Sequence, residues 1–146
     1  MSKDKKPNRT IDPLSNKQPS GKNKVDNIPN LCFKWKTNDA DHDGDFGWNN
    51  IDVNKLFAYI IPKLQEFESM LWSDIEGHRN HFIPTNDICK EAKDRLTVVG
   101  KEDEESLFSL SLSGKERIWG VRESNILKLL WWDPKHKVYP SNKKHT

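Results

Sequence analysis

Cysteine and long apolar stretches are scarce in this sequence. Its two cysteines, Cys32 and Cys89, are too few and too far apart for the disulfide framework of a small secreted domain. We expect both to be free thiols that are at least partly buried. No apolar run approaches the roughly 20 residues of a membrane helix, and the amino terminus lacks the apolar core of a signal peptide. These absences predict a cytoplasmic protein without a membrane partner.

Hydrophobic residues make up only 34% of the 146-residue chain, and charge is unevenly distributed along it. Residues 1–29 carry seven basic and three acidic side chains with no apolar periodicity. We expect them to form a disordered basic tail, because they cannot bury enough apolar surface to offset the entropy of ordering. Residues 30–146, which we expect to form a single domain, have a net charge of −2. A nucleic-acid role would therefore need a local basic patch or the tail.

The closing segment predicts a three-stranded antiparallel meander. Apolar residues alternate with serine from Phe108 to Ser113, which is the pattern of a half-buried strand. Gly114 favours a tight turn into a second strand at residues 117–122. A third strand at residues 125–132 is apolar almost throughout, as expected when a strand is covered on both faces.

The residues before the meander predict one strand and two or three helices. Weak alternation over residues 30–37 indicates a strand near a sheet edge. Asp52 is a candidate N-cap for a helix to about Met70, with apolar residues at spacings of three and four and a kink at Pro62. A short helical turn follows at residues 72–75, and a second long helix is expected at residues 84–99, capped by Thr85 or Asn86. We predict an α+β fold in which an antiparallel sheet, the meander plus the first strand, packs on helices gathered on one side.

The acidic loop Asp39–Asp45 begins like a calcium-binding EF-hand loop, since Asp39, Asp41 and Asp43 precede a glycine. The pattern then departs from that motif, because Asn50 stands where a bidentate glutamate is needed. We interpret the loop as an acidic turn whose aromatic residues fold onto the core. Two alternatives stay open, namely calcium binding and a weaker metal or partner contact that includes His42.

His78 and His81 could share a metal if they lay on one helix. Gly77 and Asn80 favour an exposed basic loop instead, and no third ligand is near in sequence. We therefore predict no metal and no cofactor.

The densest set of reactive side chains lies in and just after the meander. His136 beside cations is a workable acid or base near neutral pH, Arg117 could stabilise a phosphorane, and Tyr139 could stack on a base or donate a proton. Metal-free RNA cleavage needs such a set, so we assign these three as candidate catalytic residues. Alternation places Arg117 and Arg122 on opposite faces of a regular strand. The candidate substrate-binding residues are Lys115, Arg122, Lys135 and Lys137.

The same residues also fit a structural reading. Asp133 and His136 could pair merely to shape the chain after the last strand, and Arg117 could form an ion pair with the acidic linker at residues 102–105. The protein would then be a non-catalytic module that binds nucleic acid or another protein through its basic ends.

The segment GKERIWGVRESNILKLLWWDPKHKVYP resembles the end of a group of small bacterial proteins of unassigned function. These typically show an Arg-Ile-x-Gly-hydrophobic-Arg strand and a Trp-x-Asp-Pro-x-His-x-x-Tyr-Pro end, and the likeness covers about residues 31–146. More distantly, the meander resembles the RelE/YoeB class of toxin ribonucleases, which cleave mRNA on the ribosome. That resemblance implies that Arg117 is the strand arginine and that His136 and Tyr139 are the terminal pair. It also implies RNA or the ribosome, and a cognate antitoxin, as partners.

Overall fold

Five strands form one sheet in the order β1-β5-β4-β3-β2 in a computed structural model, which describes residues 27–77 and 79–140. All neighbouring strands are antiparallel except β1 and β5, which run parallel. The α+β fold with its C-terminal meander is confirmed. The predicted tail lies outside the described residues, apart from residues 27–29. The strands are β1 Lys34–Lys36, β2 His81–Pro84, β3 Ser106–Ser111, β4 Arg117–Glu123 and β5 Ile126–Asp133.

Three helices accompany the sheet, together with short 3-10 turns. α1 spans residues 53–68 and comprises α-helical Val53–Lys55, π-helical Leu56–Ile60 and α-helical Ile61–Glu68. α2 is Trp72–Ile75 and α3 is Lys90–Val98. None of the helices in the described part of the chain is long and apolar enough to cross a membrane.

The start of α1 follows the sequence prediction, but its interior differs from it. The carboxylate of Asp52 accepts hydrogen bonds from the second and third backbone N–H groups of the helix, as an N-cap should. The helix then continues through Pro62. The π-helical turn just before Pro62 widens the backbone where the proline ring would meet a carbonyl of the preceding turn. A π-helical turn contains one more residue than an α-helical turn, which changes the side chains that face the sheet on either side of it. Val53 and Phe57 are therefore exposed, although Ile60 is buried.

Both faces of the sheet are covered. On one, called face A, Phe108 and Ile118 pack against α1 and α2. On the other, called face B, Leu107, Trp119 and Trp131 pack against α3. The expectation that the helices gather on one side was therefore wrong. Each strand contributes apolar side chains in both directions, so both faces need a covering layer.

Strand β2 lies where the sequence predicted a loop and the start of the second long helix. It pairs with β3, placing His81 opposite Ser109 and Ile83 opposite Leu107. Thr85 does not cap a helix, because its hydroxyl donates to the carbonyl of Glu104 at 2.8 Å. The helix consequently begins at Lys90.

A bulge in β5 joins the acidic loop to the sheet. Trp119 lies opposite Trp131, whereas the next residue of β4, Gly120, lies opposite Leu129, so Leu130 is an extra residue. The carbonyl of Leu130 accepts hydrogen bonds from the Asp41 N–H at 2.9 Å and from an indole N–H at 3.1 Å. Because the extra residue is in β5, the side chains of β4 keep their strict alternation.

Candidate functional site

A polar row crosses face B at one end of the sheet. Ser111 ends β3, Arg117 begins β4 and Asp133 ends β5, and they lie opposite one another in register. Directly opposite residues of antiparallel strands project from the same face. The meander therefore places a hydroxyl, a guanidinium and a carboxylate side by side.

Arg117 is half-buried and carries its charge without a carboxylate in contact. Its Nη1 donates to the carbonyls of Gly114 at 2.7 Å and Glu116 at 2.9 Å, which fixes the side chain over the turn. It forms no ion pair with any described residue, so the predicted alternative pairing with the 102–105 linker is not observed. Burial lowers the pKa of Arg117, and the nearby charge of Arg79 lowers it further.

His136 is the most unusual side chain of the site. It is only 6% exposed, and its Nδ1 has no hydrogen-bond partner among the described residues. Its backbone has a φ of 59°, a conformation that non-glycine residues seldom adopt and that clusters at functional sites. Burial lowers the pKa of His136 and so does the charge of Arg117, while the nearby backbone of His136 and Tyr139 and the charge of Asp133 partly oppose them. The imidazole is therefore neutral near pH 7 and able to accept a proton.

Asp133 shapes the chain that carries His136. Its Oδ1 accepts the Lys137 N–H at 2.8 Å, and its Oδ2 accepts the Val138 N–H at 3.0 Å and the Trp119 indole N–H at 3.1 Å. The carboxylate thus folds the segment back onto β5 and forms no hydrogen bond with the His136 ring. The predicted shaping role is observed, although through backbone groups rather than through the histidine.

Arg79 belongs to this end of face B, although it was not among the predicted site residues. Its Nη2 donates to Ser111 Oγ at 3.1 Å, which brings a second guanidinium to the row. We call Arg79, Ser111, Arg117 and His136 the arginine–histidine cluster. Ser111 was expected on a solvent-facing side of β3, but it is only 7% exposed. A buried strand serine was a weak signal, and no sequence pattern pointed to Arg79.

No side-chain hydrogen bond or ion pair among the described residues joins the other predicted site residues to the cluster. Arg122 lies on face A, where its guanidinium stacks 4.0 Å from the Trp72 ring and pairs with Glu76 at 3.1 Å. The structure therefore does not bring Arg122 to the cluster. The half-buried Tyr139 packs against the core of face B, and its hydroxyl makes no hydrogen bond with the described residues. The three predicted lysines are exposed, one in the turn before β4 and two beside His136; they are Lys115, Lys135 and Lys137.

The acidic loop is an internal ion-pair site. Asp41 is buried and accepts hydrogen bonds from Arg95 at 2.8 and 2.9 Å and from Trp131 at 3.0 Å. Burial opposes ionisation of Asp41, but these hydrogen bonds outweigh it and lower the pKa. Asp39 lies between Lys101 and Lys128, at 3.4 and 3.5 Å. With these carboxylates engaged by cationic side chains, the calcium alternative has no structural support.

A further metal hypothesis concerned a histidine pair. His78 lies outside the described residues, and His81 projects from β2 onto face B. Among the residues that the structure describes, no three His, Cys, Asp or Glu side chains are grouped to hold a metal ion. Cys32 is exposed rather than partly buried, and Cys89 is half-buried; both are free thiols.

Comparisons with known proteins identify no relative from which a function could be inferred. No family model, no curated protein and no solved structure matches this chain. The likeness to the toxin ribonucleases thus has no support beyond the residues that suggested it. Function must therefore be inferred from the arginine–histidine cluster.

Proposed function

We propose that the protein is a toxin-like ribonuclease that cleaves RNA with its own side chains and without a metal or cofactor. The observation that supports it most is His136, a buried, neutral imidazole near Arg117 whose Nδ1 has no hydrogen-bond partner among the described residues. A buried polar atom without a partner costs free energy and calls for an explanation. The explanation that we offer is that Nδ1 is a catalytic base, which forms its hydrogen bond only when the substrate binds.

The cluster fits the chemistry of RNA strand transfer. Nδ1 of His136 takes the proton of a ribose 2′-hydroxyl, and the 2′-oxygen attacks the adjacent phosphorus. Arg117 faces the charge that develops on the phosphoryl oxygens. The bond to the 5′-oxygen breaks, and we assign to Tyr139 the proton that this oxygen takes up. The products are a 2′,3′-cyclic phosphate and a 5′-hydroxyl, so this step consumes no water.

The test compares purified full-length protein with two histidine variants on a ribo-oligonucleotide and on translating ribosomes. His136→Ala should lower the cleavage rate by about 10²–10⁴, the usual contribution of a general base. His42→Ala is the matched control, because His42 is exposed and belongs to the acidic loop, not to the cluster. A 2′-deoxy version of the oligonucleotide should stay intact. Wild-type protein that cleaves neither free nor ribosome-bound RNA would disprove the proposal.

A non-catalytic binding module is the second candidate, favoured by one observation. Three exposed lysines flank the cluster, and residues 1–26 add seven basic side chains, which together would attract phosphates without any chemistry. In that case His136→Ala leaves RNA binding unchanged and no product forms. Partner proteins, including an antitoxin, would then bind through the same surface.

A further inference from the structure

Two guanidinium groups share one end of face B without a carboxylate in contact. Four arginines lie among the described residues, and two of them, Arg95 and Arg122, are paired with buried or half-exposed carboxylates. Arg79 and Arg117 have no such partner among those residues, yet each is tied to the polar row. Arg79 is exposed and Arg117 is half-buried, and like charges placed together repel each other. Such a pair is stabilised when an anion lies between its members.

Arg79 is held at this position by the fold. Its Nη2 donates to Ser111 Oγ at 3.1 Å. The next residue, Asn80, accepts the Ser111 N–H at 2.6 Å and donates to the carbonyl of Ile75 at 2.9 Å. These contacts attach the segment before β2 to the end of β3. The guanidinium therefore stands beside Arg117 before any ligand arrives, which reduces the entropic cost of binding.

The carboxylate of the row, Asp133, makes no hydrogen bond with either arginine, although its charge raises the pKa of Arg117 against the larger effect of burial. Both oxygens of Asp133 are occupied by the two backbone N–H groups and the indole described above. Arg117 uses Nη1 for backbone carbonyls, and Arg79 uses Nη2 for Ser111, while hydrogen bonds from the remaining guanidinium nitrogens to described residues are not observed. Several donors thus remain for an external acceptor.

We infer that Arg79 and Arg117 form a binding site for a phosphate group, with the Ser111 hydroxyl at its border. Two separate guanidinium forks suit an anion with three or more oxygens better than a carboxylate, which a single arginine can satisfy bidentately. The inference rests on the proposed function for the identity of the ligand as an RNA phosphate. Binding of a phosphate group by itself requires no cleavage.

The experiment follows the side-chain N–H signals of Arg79 and Arg117 by nuclear magnetic resonance in the full-length protein. Inorganic phosphate is titrated at constant ionic strength, acetate serves as the comparison anion, and a 2′-O-methyl tetranucleotide supplies a phosphodiester that cannot be cleaved. Both arginine signals should shift with phosphate and hardly move with acetate. Absence of a shift at either arginine, with phosphate and with the tetranucleotide, would overturn the inference.

Matched charge removals test the role of Arg79. Arg79→Gln should weaken phosphate binding about tenfold, as removal of one charged hydrogen-bonding group typically does. Lys93→Gln removes one charge from the exposed side of α3 and should change the affinity less than about twofold. Equal weakening by both variants would mean unspecific attraction and would overturn the site. If Arg79→Gln does not fold, the wild-type signals decide the question.

The outcomes separate this site from the proposed function. Phosphate binding through Arg79 without any RNA cleavage supports the site and disproves the ribonuclease. RNA cleavage that Arg79→Gln leaves unchanged in both rate and KM supports the ribonuclease and overturns the site. Binding of inorganic phosphate but not of the tetranucleotide supports the site and identifies a free phosphate, rather than a nucleic acid, as its ligand.

Discussion

Burial of a titratable side chain should make stability depend on pH, and His136 is such a residue. Its pKa in the folded protein lies below the ordinary value of 6.5. Between those two values the unfolded chain binds more protons than the folded one, so acidification favours unfolding. The contribution of His136 is fully present above about pH 6.5 and decreases as pH falls toward the lowered pKa.

We therefore expect the free energy of unfolding to fall between about pH 7 and pH 5, by at most about 1.4 kcal/mol per pH unit from this residue. His136→Gln, which cannot take up a proton, should show a flatter dependence over the same interval. Urea unfolding at several pH values measures both. Parallel curves for the wild type and the variant would contradict a neutral buried imidazole.

The buried ion pair of Asp41 with Arg95 should contribute to the free energy of unfolding. Asp41→Asn removes the charge that Arg95 and Trp131 bind, and part of the buried hydrogen bonding is left unsatisfied. We expect the free energy of unfolding to fall by about 2 kcal/mol. Asp94→Asn is the matched control, because its pair with Lys90 is exposed to water and should matter little. Equal effects of the two substitutions would disprove an internal role for Asp41.

At the scale of the element, the packing between β4 and the bulged β5 should depend on a glycine. A Cβ at Gly120 would lie 2.6 Å from the Lys128 carbonyl oxygen and 2.9 Å from Leu127 Cδ1. A backbone oxygen cannot move away as a flexible side chain can, so Gly120→Ala should destabilise the protein by about 2 kcal/mol. Gly77→Ala meets nothing within 4 Å and should be nearly neutral. Chemical denaturation of both variants checks this, and a neutral Gly120→Ala would disprove the tight approach of the two strands.

The elements that were predictable from sequence are those formed by local patterns. Asp52 caps α1 and the meander alternates as expected, because capping and alternation involve residues close in the chain. Strand β2 could not be predicted, since four residues ending in Pro84 carry too little pattern and gain stability only from pairing with β3. The parallel pairing of β1 with β5 likewise joins residues that are far apart in sequence.

In the candidate site, likewise, only the residues positioned by local patterns could be predicted. Arg117 and Arg122 do lie on opposite faces, because the bulge is in β5 and leaves the alternation of β4 intact. His136 follows β5 closely, so its nearness to Arg117 could be expected from a meander. The position of Arg79 depends on a hydrogen bond with Ser111, 32 residues further on. Alternation shows which side chains share a face, but it does not show that another segment covers that face.

At the scale of the whole molecule, positive charge is divided between a local cluster and the first residues of the chain. Residues 1–26 hold seven basic and three acidic side chains, whereas residues 30–146 have a net charge of −2. A chain segment of this kind attracts RNA over a distance, and each phosphate that it neutralises steepens the dependence of binding on salt. Chemistry, in contrast, depends on groups held within hydrogen-bonding distance of the reacting atoms.

Deletion of residues 1–26 should therefore separate attraction from reaction. We expect weaker RNA binding and a flatter plot of log affinity against log salt, with the slope reduced by about 0.7 for each phosphate of a single strand that these residues neutralise. Turnover at saturating RNA should stay within about twofold of the wild type, because the residues of the cluster lie further along the chain and reaction depends on their positioning. Arg117→Gln should do the reverse, lowering turnover by about 10-fold or more while changing the salt slope by the equivalent of one phosphate at most. A fall in turnover at saturation after the deletion would place part of the reaction in the deleted segment, and an unchanged salt slope would show that this segment does not bind RNA.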